Sequence, residues 1–191
     1  SVRPHPLAQH PIAMTDAGIV LRSPADGVLC ALVANHVVHG RVIFPGAGYL
    51  ETARAAGAPA LRGVFFLQPL AVESHGLLIE CALAHGHFEV RSADAAAVDD
   101  ITVNCTGATA SNGEWQRIGH ASLRAPLRAA HVPSLYDAFD TVGLQYGPGY
   151  RTLANAWVGD GSAAARLQSR STHEGIQVHP ADLDGAPCVG A

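Results

Sequence analysis

Apolar and polar positions alternate in short blocks along this chain, and glycine or proline cuts almost every block. His5-Pro6-Leu7 and Ile19-Val20-Leu21 read as short strands joined by polar turns, and Val28 to Val33 as a further strand. Arg41 to Phe44 has the β-branched and aromatic character of another. Pro45 stops it, and Gly46-Ala47-Gly48 opens a helix that runs through Leu50-Glu51-Thr52-Ala53-Arg54 to a stop at Gly57. Strands follow at Val64 to Leu67, Gly76 to Leu83, His87 to Arg91 and Ile101 to Thr106, with turns at Ala84-His85-Gly86 and Ser111-Asn112-Gly113. One helix followed by a run of strands predicts an α+β unit, an antiparallel sheet wrapped around a single apolar helix.

Arg124 to Pro133 holds two prolines and little periodicity, and is read as a linker between an N-terminal unit (1–123) and the start of a second unit (134–191). Ser134 to Phe139 predicts a short helix, and Gly143 to Tyr150 a backbone-rich bend. Asn155 to Val158 and Ala163 to Leu167 form a hairpin about Gly159-Asp160-Gly161. Gln177 to Ala186 echoes the first half: a strand, a histidine-proline step, then an apolar stretch able to begin a helix. The sequence reaches Ala191 before that second helix or its sheet is completed.

Composition narrows the function classes. The 191 residues are 48% hydrophobic and 15% charged, with a formal net charge of −4 and no lysine among the 12 basic residues. An acidic chain without a basic cluster is not expected to bind nucleic acid. The missing lysine excludes a P-loop or a Schiff-base mechanism. Cys30, Cys81, Cys105 and Cys188 show no CxxC spacing, and the first three lie in apolar runs as reduced thiols do. The first residues lack the apolar core of a signal peptide, and no run approaches a membrane span, so a cytoplasmic protein that does not enter a membrane is expected.

Two groups stand out as chemistry. His36 precedes the Gly-rich helix start, so a titratable ring and a helix N-terminus fall close together, a pairing suited to proton transfer beside a carbonyl. His39 three residues on invites a zinc reading, but on a strand the two rings face opposite ways and no third ligand follows, so no metal is expected. Asp182 and Asp184 lie in an apolar segment. Asp184 is read either as an N-cap or as a carboxyl group kept protonated by an apolar pocket. Gly46-x-Gly48 lacks the third glycine of a dinucleotide fingerprint, and no G-x-S-x-G is present.

The residues His36-x-x-x-Gly40-x-x-x-x-Pro45, Tyr146-Gly147-Pro148 and His179-Pro180-Ala181-Asp182-Leu183-Asp184 resemble, in order, three signatures of the dehydratase domains of modular type I polyketide synthases. Similarity extends through Phe65 to Leu70, Asn104 to Gly107 and Gly143 to Pro148, covering essentially the whole chain. The resemblance implies a double hot-dog fold, two antiparallel sheets each wrapped around a central helix, the second incomplete within the sequence. It implies dehydration of a 3-hydroxyacyl thioester carried on the phosphopantetheine arm of an acyl carrier protein, giving the 2-enoyl thioester. His36 would be the base and Asp184 the acid. Gly40, Pro45, Gly46, Ala47 and Gly48 would lie along the substrate with oxyanion-type N–H groups, and Tyr146, Gly147 and Pro148 would shape the tunnel mouth. No metal or diffusible cofactor is implied. The partners would be the carrier protein and neighbouring synthase domains, with homodimerisation through the first hot-dog.

Departures from the family pattern keep alternatives open. Asn35 stands where aspartate is common. Cys188, after Pro187, occupies the position four after the catalytic aspartate, where glutamine or histidine usually orients the carboxyl; a thiol is a poor hydrogen-bond partner. A cyclase, double-bond isomerase or product-template-like domain uses the same fold and His/Asp pair. An inactive structural or acyl-binding remnant is the alternative from another class. Cys188→Gln is the test at that position: a higher rate identifies the thiol as a handicap, and loss of activity gives it a role of its own.

Overall fold

The computed structural model describes residues 5–111, 113, 119–171 and 176–185. A bridge from His5 to Ala8 closes a turn. It is followed by β1 (His10–Thr15), β2 (Gly18–Pro24), α1 (Gly27–Val33), β3 (Val37–Val38), β4 (Arg41–Val42) and α2 (Gly46–Ala55). Next come β5 (Ala60–Phe66), β6 (Leu77–Ala84), β7 (His87–Asp94), β8 (Ala97–Ala110) and α3 (His120–Arg124). The remainder is β9 (Arg128–Ala130), α4 (Val132–Thr141), a 3-10 turn at Pro148–Tyr150, β10 (Leu153–Gly159), β11 (Ser162–Leu167) and α5 (Pro180–Gly185).

A six-stranded antiparallel sheet, in the order β1-β2-β6-β7-β8-β5, curves around α2. The two-residue period of β7 shows which face is inward: Phe88 and Val90 are fully buried, whereas His87 and Glu89 are exposed. They meet Tyr49 and Ala53 of α2, with Leu21, Ile79, Cys81 and Cys105 completing the layer. Small residues let the sheet close this tightly. A Cβ on Gly48 would lie 2.8 Å from the Phe44 ring. His85-Gly86 and His39-Gly40 both turn with φ positive at each residue (49° and 76°; 48° and 75°), the type I′ geometry that matches strand twist. A second, three-stranded sheet, β11-β10-β9, packs with α4, the 3-10 turn and α5 around Tyr136, Phe139, Tyr150, Leu153 and Ala156.

Three expectations about local structure are corrected. Val28 to Val33 is helical, as α1. Its buried residues Leu29, Leu32 and Val33 keep the i, i+3, i+4 spacing of one helix face, which a short continuous apolar run conceals. His5-Pro6-Leu7 is a bridged turn, and the strand is β1 instead; β1 is exposed throughout and carries Pro11, so no buried face marks it. Residues 124–133, read as a linker, contain β9, which pairs with β10 through Ala130–Ala156 and Arg128–Val158. Its partner lies far along the chain, so local pattern could not reveal it. Pro133 falls in the first turn of α4, where its missing N–H costs nothing. The Asn112 turn position, Pro187 and Cys188 lie outside the described residues.

Two ties join the sheets. In the first, residues 35–40 run antiparallel to 143–147: Asn35 O accepts the Gly147 N–H (2.9 Å), Val37 O the Gln145 N–H (2.8 Å), and Gly143 O the His39 N–H (2.7 Å). Gln145 Oε1 accepts the Gly40 N–H at 2.7 Å. In the second, buried Glu51 on α2 accepts the Gln177 N–H (3.0 Å) while pairing with Arg54 (2.6 Å) and His5 (3.1 Å). Burial alone would push the Glu51 carboxyl up. The hydrogen bonds from Arg54, His5 and Gln177 and the Arg54 charge outweigh it and hold the group down to about 2.

These ties yield two predictions. Gly147 has an ordinary φ of −72°, so alanine would not strain its backbone, but a Cβ there would overlap the Asn35 side chain. Gly147→Ala should destabilise by about 2 kcal/mol, as overpacking does, and Asn35→Ala in the same chain should restore most of the melting temperature. Because its carboxyl is depressed from 4.5 to about 2, Glu51 stabilises the folded state above pH 4.5 and loses that effect as pH falls towards 2. Glu51→Gln should therefore cost on the order of 2 kcal/mol near neutrality, with the wild-type and variant melting temperatures converging across that acid window.

Candidate active site

His36 leaves α1 through a tight turn, its N–H bonded to Val33 O (2.8 Å), and is 7% exposed. Two bonds to Ile43 fix it: His36 O accepts the Ile43 N–H (3.1 Å), and ring Nδ1 lies 2.6 Å from Ile43 O. A carbonyl can only accept, so Nδ1 carries the proton. In the neutral ring the lone pair is therefore on Nε2. Ile43 is two residues before Pro45, so the ring is anchored to the strand that feeds α2.

Nε2 faces Asp184, with Oδ2 3.6 Å away. That spacing is too long for a direct hydrogen bond and leaves both groups directed at one small volume. Asp184 is the fifth residue of α5, which removes the N-cap reading. The cap belongs to His179, whose Nδ1 accepts the Ala181 N–H at 3.2 Å ahead of Pro180. Asp182 in the first turn takes Arg170 through both oxygens (3.0 and 2.9 Å). Gly185 lets α5 seat closely, since a Cβ there would sit 2.5 Å from Thr152 Oγ1, which itself donates to Ala181 O at 3.3 Å. The two carboxylates of this segment are thereby separated: Asp182 is held in an ion pair, and Asp184 is turned towards the histidine.

The Tyr-Gly-Pro bend supplies the wall. The Tyr146 and Tyr150 rings pack against His36 at a tilt, with ring centroids 5.5 and 5.3 Å away, and 6.1 Å from each other. Sequence reasoning gave Tyr150 no role; the signal available was its spacing, four residues from Tyr146 across a Gly-Pro turn. Gly147 is pressed against Asn35 and caps the 3-10 turn that Pro148 opens. Pro148 also lines, with Arg151, Arg170, His179 and Asp182, a polar cavity of about 250 Å³ to which neither His36 nor Asp184 contributes.

The remaining predicted positions divide. Pro45 is the N-cap residue of α2, and Gly46 and Ala47 begin its first turn, where N–H groups lack intrahelical acceptors. The Gly48 N–H closes onto Pro45 O at 2.9 Å, so it is already engaged. Gly40 sits in the exposed β3–β4 turn, and its N–H is committed to Gln145. His39 is in that same turn. Among the described residues no group of three His, Cys, Asp or Glu side chains is arranged to hold a metal ion. No described helix is long and apolar enough to cross a membrane. Burial raises the Cys81 and Cys105 thiols to about 12, which leaves them poor nucleophiles.

Known proteins resemble this chain in sequence and in fold. A family model described as polyketide synthase dehydratase domain matches residues 5–102, and one described as polyketide synthase dehydratase N-terminal domain matches residues 118–189. Polyketide synthase ThaG of Burkholderia thailandensis is 34% identical over 176 residues, covering 81% of this chain; the chain spans 3% of that much longer protein. The erythromycin dehydratase structure superposes with a TM-score of 0.82 at 26% identity, over 95% of this chain and 72% of that one. An inactive histidine-to-phenylalanine mutant of the CurK dehydratase has a TM-score of 0.82 at 20% identity, over 97% and 74%. The hot-dog architecture and the family match over more than half of the sequence make the conclusion plain: this chain belongs to the polyketide synthase dehydratase domain family.

Proposed function

We propose that this domain removes water from a 3-hydroxyacyl thioester held on the phosphopantetheine arm of an acyl carrier protein, giving the 2-enoyl thioester. One observation carries the reading: the lone-pair nitrogen of a tautomer-locked His36 and a carboxyl oxygen of Asp184 face one another across 3.6 Å at the junction of the two sheets.

The C2 proton next to a thioester is weakly acidic, so its removal is the demanding step. His36 Nε2 takes that proton. The C2=C3 bond forms as the C3–O bond breaks, and a protonated Asp184 gives its proton to the departing oxygen, which leaves as water. The cycle ends with an imidazolium beside a carboxylate, and one proton returned from His36 to Asp184 resets both groups. Developing charge on the thioester oxygen would be met by N–H groups in the first turn of α2. With the Gly48 N–H engaged by Pro45, that task falls to Gly46 and Ala47, aided by the positive end of the helix dipole. Tyr146 and Tyr150 exclude water from the ring, and Gly147 and Pro148 shape the approach of the thioester arm.

Histidine-to-phenylalanine and aspartate-to-asparagine mutants of the CurK dehydratase are inactive, as a mechanism requiring both groups demands. The domain would work beside other synthase domains and its carrier protein, and would dimerise through the first hot-dog. Incubation with both epimers of a 3-hydroxyacyl-pantetheine thioester, followed by mass spectrometry, should show the loss of one water from one epimer. His36→Ala and Asp184→Asn should each lower that rate at least about 1,000-fold while the fold is retained. Full activity in either variant would remove the mechanism, and failure of the wild-type domain to dehydrate either epimer would favour the remnant reading.

A further inference from the structure

Among the described residues, nothing bonds the Tyr150 hydroxyl group. The residue is 2% exposed and its ring lies 5.3 Å from His36. Burial, and after it the Asp184 charge, raises the phenol well above the usual tyrosine range, with Arg170 acting the other way, so the group stays a neutral donor. The contrast with Tyr136 is informative, because that tyrosine sits in the same aromatic cluster and its oxygen accepts the Leu153 N–H at 3.1 Å. A buried hydroxyl without a partner costs free energy, and phenylalanine would fill the same space without the penalty. A bound molecule that completes its hydrogen bonding would remove that cost.

We infer that Tyr150 is a further active-site donor, whose hydroxyl binds the 3-oxygen of the substrate between His36 and Asp184. The inference rests on the dehydratase reading above. Tyr150 is anchored for this by its own backbone, the N–H bonding Gly147 O at 2.9 Å within the 3-10 turn. That turn packs against α5, the helix that carries Asp184. The leaving oxygen thus meets two groups with separate tasks. Asp184 transfers its proton as the C3–O bond breaks; Tyr150 keeps its proton and donates a hydrogen bond throughout. No additional reactant is needed, and the proton count of the reaction is unchanged. Among the described residues a second buried tyrosine oxygen lacks a partner, that of Tyr49, whose neighbours are Phe44, Phe66 and Cys105.

Tyr150→Phe tests this, because a structural and a functional hydroxyl predict opposite outcomes. The variant should melt at the same or a higher temperature, yet its kcat for a 3-hydroxyacyl-pantetheine thioester should fall about tenfold with KM changed less than about twofold, the effect of one hydrogen bond strengthened at the reacting oxygen. A second measurement uses the slow Asp184→Asn background. There, adding Tyr150→Phe should weaken binding of 3-hydroxybutyryl-pantetheine about fivefold and leave butyryl-pantetheine, which lacks the 3-oxygen, unaffected. Unchanged kcat with equal or raised stability overturns the inference, as does equal weakening of both thioesters. A large drop in melting temperature overturns it too, since it would mean the hydroxyl serves the fold. Loss of activity in His36→Ala alongside an unaffected Tyr150→Phe removes the Tyr150 role alone, whereas an active His36→Ala removes the dehydratase mechanism beneath it.

Discussion

The short ladder between residues 35–40 and 143–147 is the constraint on which the candidate site depends. It is built from backbone groups, so its geometry follows from the chain path more than from particular side chains, and it fixes register as any strand pair does. Its strands are only a few residues long, too short to persist alone in water. They persist because each end is embedded: one follows α1 and feeds α2, and the other follows α4 and enters the 3-10 turn. Glycine at 143 and 147 lets the segments approach, since a Cβ at either position would overlap His39 or Asn35. Asn35, a departure from the family pattern in sequence, therefore has a clear packing task here.

The second half of the site depends on a different kind of contact. Asp184 stands on α5, whose described part is only six residues long, and a helix of that length has little stability of its own. Three features hold it: the His179 cap, the Arg170–Asp182 ion pair, and the close seat on Thr152 that Gly185 permits. Glu51 adds a tie from α2, which the first sheet surrounds, through the Gln177 N–H. The pairing of Glu51 with Arg54 and His5 keeps that acceptor charged at ordinary pH. A carboxylate accepting from a backbone N–H is a stronger anchor than a neutral group would be. Positioning Asp184 thus draws on electrostatics, whereas positioning His36 draws on backbone hydrogen bonds.

Much of this was legible in the sequence, and the boundary of what was legible has physical causes. The α2 start at Pro45-Gly46 could be read because proline, glycine and apolar period are local signals. The β6–β7 and β10–β11 hairpins were equally readable from His85-Gly86 and Asp160-Gly161. The α1 helix was misread because Val28 to Val33 is apolar almost throughout, and a short run of that kind has no visible period. β1 and β9 escaped because edge strands with exposed side chains owe their state to a partner far along the chain. At the candidate site, spacing leaves Asp184 between a cap and an acid and the family resemblance implies that it faces His36, whereas their separation and the Nδ1 lock through Ile43 O have no sequence signal. No pattern relates His36 to the carbonyl of a residue seven positions later, because that bond exists only after the β3–β4 hairpin closes.

The 3.6 Å between His36 and Asp184 carries a further physical consequence. Had the two groups met at hydrogen-bond distance, they would have formed a stable ion pair or a neutral bonded pair, and substrate would have had to break it. They are instead held slightly apart by independent supports, with the Tyr146 and Tyr150 rings packed beside His36. The supports of the two groups are separate: the ladder holds His36, and the α5 contacts together with the Glu51 tie hold Asp184. That independence is what the proposed reaction would use, since a 3-hydroxyacyl thioester would present its acidic hydrogen and its leaving oxygen to two separate groups.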